Sequence, residues 1–224
     1  MATLYVVGTP IGNLEDVTLR ALRLLKEVDV ILCEDTRVTK RLLERYEIAD
    51  KKLLAYNEQE SGVKIEKVVA LLQEGKNLAL VSDAGTPGIS DPGSFLVQKV
   101  KEALPGLKIE SVPGPSALTA ALSIAGVPVH DFVFLGFFPH KKGRETLFKE
   151  VAASERTMIF YESPHRVLKA LASLEKFAPT KKVTIARELT KIHEEVKSGS
   201  AMELLEFFEK NAEKVRGEFV VIVS

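Results

Sequence analysis

The sequence predicts an α/β protein of two domains, and three observations lead there. Continuous runs of Val, Ile and Leu alternate with segments whose apolar residues recur at three and four. Three strands of the first half end in Gly- and Pro-rich turns. Near residues 131–139 an aromatic run gives way to a short basic connection. The first two features predict a parallel sheet in an N-terminal domain, 1–138. The third predicts a boundary before a C-terminal domain, 139–224, with a mixed sheet.

The N-terminal strands are Leu4–Val7, Val28–Cys33, Leu53–Tyr56, Leu78–Ser82 and Ile109–Val112. Their unbroken apolar character suits strands covered on both faces, as in parallel sheets whose crossover helices lie above and below. Between them Leu19, Ala21, Leu22 and Leu25, and later Ile65, Val68, Val69 and Leu72, form apolar stripes at helical spacing. The C-terminal part opens after the strand Phe132–Pro139 and the polar connection His140–Arg144. It continues with a strand at Thr157–Tyr161, a helix from Pro164 to about Phe177, and a strand at Val183–Arg187. A polar strand around Glu194–Lys197, a helix from about Ala201 and a last strand at Glu218–Val223 follow.

Composition bounds the function. Lys plus Arg and Asp plus Glu each total 31 in 224 residues, so no whole-molecule attraction to nucleic acid or an anionic membrane exists, and such a partner must be met by a local patch. With 46% apolar and 28% charged residues the chain carries enough apolar side chains for a core. One cysteine, Cys33, leaves no internal disulfide and no Cys-rich zinc site, which fits a reducing cytoplasm. His130, His140, His165 and His193 are scattered without metal-ligand spacing, so no metal is expected. No apolar stretch approaches the length of a membrane span, and the N-terminus lacks a signal-peptide pattern, so a cytoplasmic protein is expected.

The three turns are Gly8–Asn13, Asp83–Gly93 and Val112–Ala117. In an open α/β sheet ligands bind beyond the carboxyl ends of strands; glycine there lets backbone come close and proline limits the entropy lost on binding. A single such turn could serve fold geometry alone, but three on one rim point to a ligand. Its chemistry is narrowed by what the turns lack. Gly8 and Gly12 do not make a Gly-x-Gly-x-x-Gly fingerprint, and Ser94 stands where a phosphate-binding lysine would follow Gly88–Gly93. Asp83 and Asp91 repel phosphate but accept hydrogen bonds from amines and hydroxyls, so an amine-bearing, phosphate-free ligand is predicted. Ser116 lacks a nucleophile-elbow context and reads as a helix cap or ligand contact.

These turns in this order resemble the tetrapyrrole methylase superfamily, the class III S-adenosylmethionine-dependent methyltransferases. Leu4–Leu14, Cys33–Arg37, Ser82–Gly88 and Phe160–Arg166, with Arg187–Lys191 and Gly217–Phe219, are similar to one group within it, the bacterial 16S rRNA (cytidine-2′-O)-methyltransferases, essentially from end to end. The resemblance implies a two-domain tetrapyrrole-methylase-like fold with S-adenosyl-L-methionine in a cleft between the domains, a homodimer, and 16S rRNA of the small ribosomal subunit as partner. It implies cofactor contacts at Pro10, Ile11, Asp83, Gly85, Thr86, Ser116 and Ala117, and methyl transfer to the ribose 2′-hydroxyl of a decoding-site cytidine. Many members of the group continue into a small helical extension where this sequence stops at Ser224. That departure implies either a weaker grip on the ribosome or RNA contacts carried by the two core domains.

A general base near the hydroxyl would assist the transfer. The candidates are Asp35 and Lys191, with Glu34 and Glu162 as alternatives; His165 and Arg166 lie beside Glu162 at a strand end. Asp35 and Glu34 beside Arg37 can equally form an ion pair that fixes a loop. RNA would be met by two basic stretches. Arg37, Lys40, Arg41, Arg45, Lys51 and Lys52 outnumber Glu44, Glu47 and Asp50 by three, and Lys141, Lys142, Arg144 and Lys149 outnumber Glu145 by three. Residues 194–213 are acidic instead. A corrin- or porphyrin-precursor methylase, or an RNA-binding factor that holds the cofactor without turnover, are the alternative functions.

Overall fold

The computed structural model describes residues 2–56 and 61–224, the side chains of 61–63 excepted. The chain divides into two compact units, Met1–Ser116 and Ala117–Ser224.

In the first unit, β1 (Thr3–Val7), β2 (Val30–Cys33), β3 (Lys52–Ala55), β4 (Leu78–Leu80) and β5 (Lys108–Val112) make a sheet in the order β3-β2-β4-β1-β5. Every pairing in it is parallel. The connecting helices are α1 (Leu19–Glu27), α2 (Thr36–Arg45), α3 (Ser61–Gln73) and α4 (Ser94–Ala103). Successive strand residues point to opposite faces, and the two faces have separate cores. Ile31, Cys33 and Ala79 pack under Ala21, Leu24 and Leu25 of α1 and Leu42 and Leu43 of α2. Val30, Leu32 and Leu78 pack under Val68 and Leu72 of α3 and Leu96 and Val100 of α4. The continuous apolar runs in the sequence follow from this double coverage.

The winding also changes direction within the sheet. From β2 the chain moves through α2 outward to β3, whereas from β4 it moves through α4 across to β5, and these helices lie on opposite faces. The carboxyl ends of the neighbours β2 and β4 therefore diverge, which is the switch-point geometry in which open α/β sheets bind ligands.

The second unit comprises α5 (Ala117–Ile124), β6 (Phe132–Phe137), α6 (Arg144–Ala153), β7 (Thr157–Glu162), α7 (Val167–Phe177), β8 (Val183–Arg187), β9 (Glu195–Gly199), α8 (Ala201–Lys210) and β10 (Phe219–Val223). Its sheet runs β6-β7-β10-β8-β9, with β6 parallel to β7 and the remaining pairs antiparallel. Phe138, Phe148, Phe160, Phe208 and Phe219 form the centre of its core with Leu171, Leu174 and Leu204. The mixed sheet is as expected, but the division of the chain is not where the sequence put it. Residues 117–138 belong to the second unit, because β6 hydrogen-bonds to β7 and Val133 and Leu135 pack on that core. The compositional change at 131–139 marks a strand end inside the second unit, not the boundary expected after residue 138. No helix among the described residues is long and apolar enough to cross a membrane.

Candidate functional site

The three Gly/Pro turns follow β1, β4 and β5, which are adjacent and parallel, so all three leave the same edge of the first sheet. They are joined to one another by backbone. Gly8 N–H donates to Val112 O at 3.0 Å, and Thr9 and Gly85 exchange both N–H···O bonds at 2.8 and 3.1 Å. Thr9 Oγ1 donates to Ser82 O at 3.0 Å, and Thr86 Oγ1 reaches Pro115 O at 3.5 Å. The first and third turns touch closely enough to require glycine at both positions: a Cβ on Gly8 would lie 2.8 Å from Gly114 Cα, and one on Gly114 2.7 Å from Gly8 O. Gly85, at φ +83°, takes a left-handed conformation that places its peptide against Thr9. Pro10, Ile11 and Gly85 are buried in this rim, whereas Asp83, Thr86 and Ser116 are partly exposed along it. Ser116 and Ala117 flank the division between the units.

Beside this rim, at the diverging ends of β2 and β4, lie four carboxylates. Asp35 caps α2: its side chain accepts from Arg37 N–H at 2.8 Å and pairs with the Arg37 guanidinium at 2.6 Å. Those bonds hold its carboxyl down to about 2. Asp83 Oδ1 accepts from Asp35 N–H at 2.9 Å and so ties the end of β4 to the start of α2. Partial burial raises the Asp83 carboxyl, a shift reinforced by the Asp35 charge and opposed by the hydrogen bond it accepts from the Asp35 N–H. Glu34, although exposed as a residue, is raised as well, first by partial desolvation of its carboxyl and then by the charges of Asp83, Asp91 and Asp35. The Glu34 carboxyl makes no hydrogen bond or ion pair among the described residues. Asp35 is thus a structural anion neutralised in place, while Glu34 and Asp83 are carboxylates held against their preference to ionise.

The second-unit candidates separate in the same way. Glu162 is fully buried between two arginines, with Arg144 Nη2 at 2.6 Å and Arg166 Nε at 2.8 Å. Arg166 also donates to Phe138 O at 2.9 Å and Arg144 to Pro139 O at 3.4 Å. Glu162 is therefore a structural ion joining the ends of β6 and β7 to α6 and α7. Arg144, which the sequence groups with the second basic stretch, has its charge neutralised inside this network rather than facing solvent. His165 is exposed at the start of the α7 turn. Lys191 bonds Glu188 at 2.9 Å and Glu218 at 2.8 Å; partial burial pulls its ammonium down, but the two carboxylates outweigh that and hold it raised. It is a cation in this arrangement, not a free base.

Of the basic residues, Arg37 is 85% exposed though tied to Asp35, Lys40 makes a 3.7 Å pair with Glu44, and Arg41 projects from the same helix. Lys141 and Lys142 are exposed, and their ammonium groups make no ion pair or hydrogen bond among the described residues. Sequence reasoning missed the Arg144–Glu162–Arg166 network, because the three residues come together only through the parallel β6–β7 pairing. It also missed the outward turn of Phe137, although an isolated glycine within an aromatic strand is a bulge signal.

A family model described as Tetrapyrrole (Corrin/Porphyrin) Methylases matches residues 3–205. A protein of Thermotoga maritima named ribosomal RNA small subunit methyltransferase I is 47% identical over 224 residues, covering 100% of this chain and 99% of that protein. One of the same name from Escherichia coli O157:H7 is 46% identical over 223 residues, covering 99% of this chain and 77% of that protein. Among solved structures, uroporphyrin-III-C-methyltransferase from Thermus thermophilus superposes with a TM-score of 0.70 at 21% identity, over 100% of this chain and 94% of that one. The methyltransferase CobJ does so with 0.71 at 22%, over the same shares. At those identities the likeness concerns the fold. With residues 3–205 matched by the family model and near-half identity sustained along the whole chain, the protein belongs to the tetrapyrrole (corrin/porphyrin) methylase family, beside relatives named ribosomal RNA small subunit methyltransferase I.

Proposed function

We propose that this protein is an S-adenosylmethionine-dependent methyltransferase acting on small-subunit ribosomal RNA, and that its acceptor is the ribose 2′-hydroxyl of a decoding-site cytidine. The observation that carries the proposal is the joined rim of turns beside raised carboxylates at the switch point of the first sheet. That donor set fits the cofactor: its ammonium and sulfonium are cations, its ribose offers hydroxyl donors, and it brings no phosphate into a rim that carries Asp83 and Asp91. When bound, S-adenosylmethionine supplies an electrophilic methyl group.

In this reading, backbone at Pro10, Ile11, Gly85, Thr86, Ser116 and Ala117 holds the cofactor, and Asp83 accepts hydrogen bonds from its amine or hydroxyls. Prior fastening of the turns to one another lowers the ordering cost of binding, and holding an acceptor in line can supply about 7–11 kcal/mol of the barrier. Glu34 serves as the general base toward the 2′-hydroxyl, since among the four candidates it alone is neither capped, sandwiched between arginines nor cationic. Asp35 positions α2, and Lys191 contributes fixed positive charge. Arg37, Lys40, Arg41, Lys141 and Lys142 meet RNA phosphates. The names of the relatives support the RNA acceptor.

The test is transfer of an isotopically labelled methyl group to small ribosomal subunits lacking the modification, followed by mass mapping of the nucleotide. Label on a cytidine 2′-oxygen is expected. Label only on a tetrapyrrole precursor, or none at all with cofactor bound, overturns the proposal.

A further inference from the structure

Residues 133, 135 and 137 would share a face in a regular strand. Val133 and Leu135 pack on the core of the second unit, so an unbroken β6 would send Phe137 inward too. The register breaks before it does. Phe134 lies opposite Ile159 and Phe137 opposite Tyr161, so three steps along β6 match two along β7, and Gly136 takes φ +63° within the bulge. Bulges re-aim side chains. Here Phe138 turns into the core against Phe148 and Phe160, and Phe137 turns outward, 55% exposed.

Outward, Phe137 is not loose. Tyr161 meets it edge to face with ring centroids 5.3 Å apart, and Tyr161 is backed in turn by Phe134 at 4.9 Å. The backbone just past Phe137 is pinned where Arg166 and Arg144, both held by the buried Glu162, donate to Phe138 O and Pro139 O. The next exposed side chains are His140, Lys141 and Lys142, and neither lysine has an ionic partner among the described residues. A solvent-facing ring in fixed orientation beside uncompensated cations matches the two needs of an unpaired nucleotide, a flat apolar surface for the base and positive charge for its phosphates.

We infer that Phe137 is a stacking platform for an unpaired nucleobase of RNA, with Lys141 and Lys142 neutralising the neighbouring phosphates. The inference rests on the proposed RNA acceptor and adds to it a base-binding residue. The chain contains no tryptophan, so Phe137→Trp creates a single fluorescent reporter at the platform. With a single-stranded RNA of about twelve nucleotides, its emission is expected to be quenched while affinity holds. Phe137→Ala and Phe137→Leu are expected to weaken binding roughly 5- to 150-fold at unchanged salt dependence, Leu failing although it is apolar. Unmoved emission at saturating RNA, or Phe137→Ala affinity within about twofold of the parent, overturns the inference. So does sedimentation showing that Phe137→Ala dissociates a dimer at unchanged RNA affinity, which would make a second copy the occupant. Quenching without methyl transfer by the parent supports the platform while removing the proposed activity. Methyl transfer by the parent with full RNA binding by Phe137→Ala removes the platform alone.

Discussion

Glu34 and Asp35 are adjacent in sequence, yet their surroundings give them opposite charge behaviour. Asp35 is held down to about 2 by Arg37, so what it adds to stability is present above its ordinary value of 3.8 and is lost as the pH falls toward 2. Glu34 is raised, so the folded chain binds its proton more tightly than the unfolded chain. The penalty for ionising it is absent below the ordinary value of 4.5 and grows as the pH rises through the raised value. Glu34→Gln is therefore expected to melt higher than the parent at pH 7 and alike below pH 4.5, while losing methyl transfer; equal melting at both pH values removes the strain argument. Asp83→Ala is expected to weaken S-adenosylmethionine roughly 10- to 100-fold in calorimetry, the scale of a hydrogen bond to a charged group. Neither carboxylate could be ranked from sequence, because the raised state comes from β2 and β4 lying side by side, a neighbourhood that chain order alone leaves open.

At the scale of the element, the rim depends on two backbones passing almost in contact. Gly8→Ala would put a methyl 2.8 Å from Gly114 Cα, and the atoms it meets are backbone rather than the end of a flexible side chain. Overpacking of this kind costs about 1–3 kcal/mol, so lower thermal stability and weaker cofactor binding are expected together, while Gly106→Ala, with open space around it, is expected to lose stability only through its backbone conformation. The turns were legible in the sequence because glycine and proline state their own geometry, and the buried strands because double coverage leaves them uniformly apolar. The helices α4 and α6 were not, since their short stripes of Leu96 and Val100, and of Phe148 and Val151, lie among residues that suit a loop as well. The placement of β6 was illegible for a related reason. An aromatic run pairs with whichever strand the fold supplies, and only the hydrogen bonds to β7 assign it to the second unit.

At the scale of the whole molecule, the charges cancel at 31 of each sign, yet they are unevenly spread. A neutral molecule has no long-range pull toward a polyanion, so RNA affinity must come from local cations, most strongly from those that its own carboxylates leave uncompensated. The structure narrows that set: Arg144 is absorbed by Glu162, Lys214 by Glu195 and Lys191 by Glu188 and Glu218, whereas Lys141 and Lys142 remain exposed and unpaired among the described residues. Each phosphate of a single strand that the protein no longer neutralises lowers the slope of log affinity against log salt by about 0.7. Replacing Lys141 and Lys142 together by Glu is thus expected to weaken RNA binding most at low salt and to flatten that slope by about 1.4, with calorimetric affinity for S-adenosylmethionine unchanged because neither lysine is among the residues proposed to hold it. Lys210→Glu on the acidic α8, where Lys210 already pairs with Glu206, supplies the control and is expected to leave the slope as it was. If the double reversal alters affinity without altering the slope, these lysines act through folding rather than through phosphate, and the basic loop ceases to be an RNA-binding element.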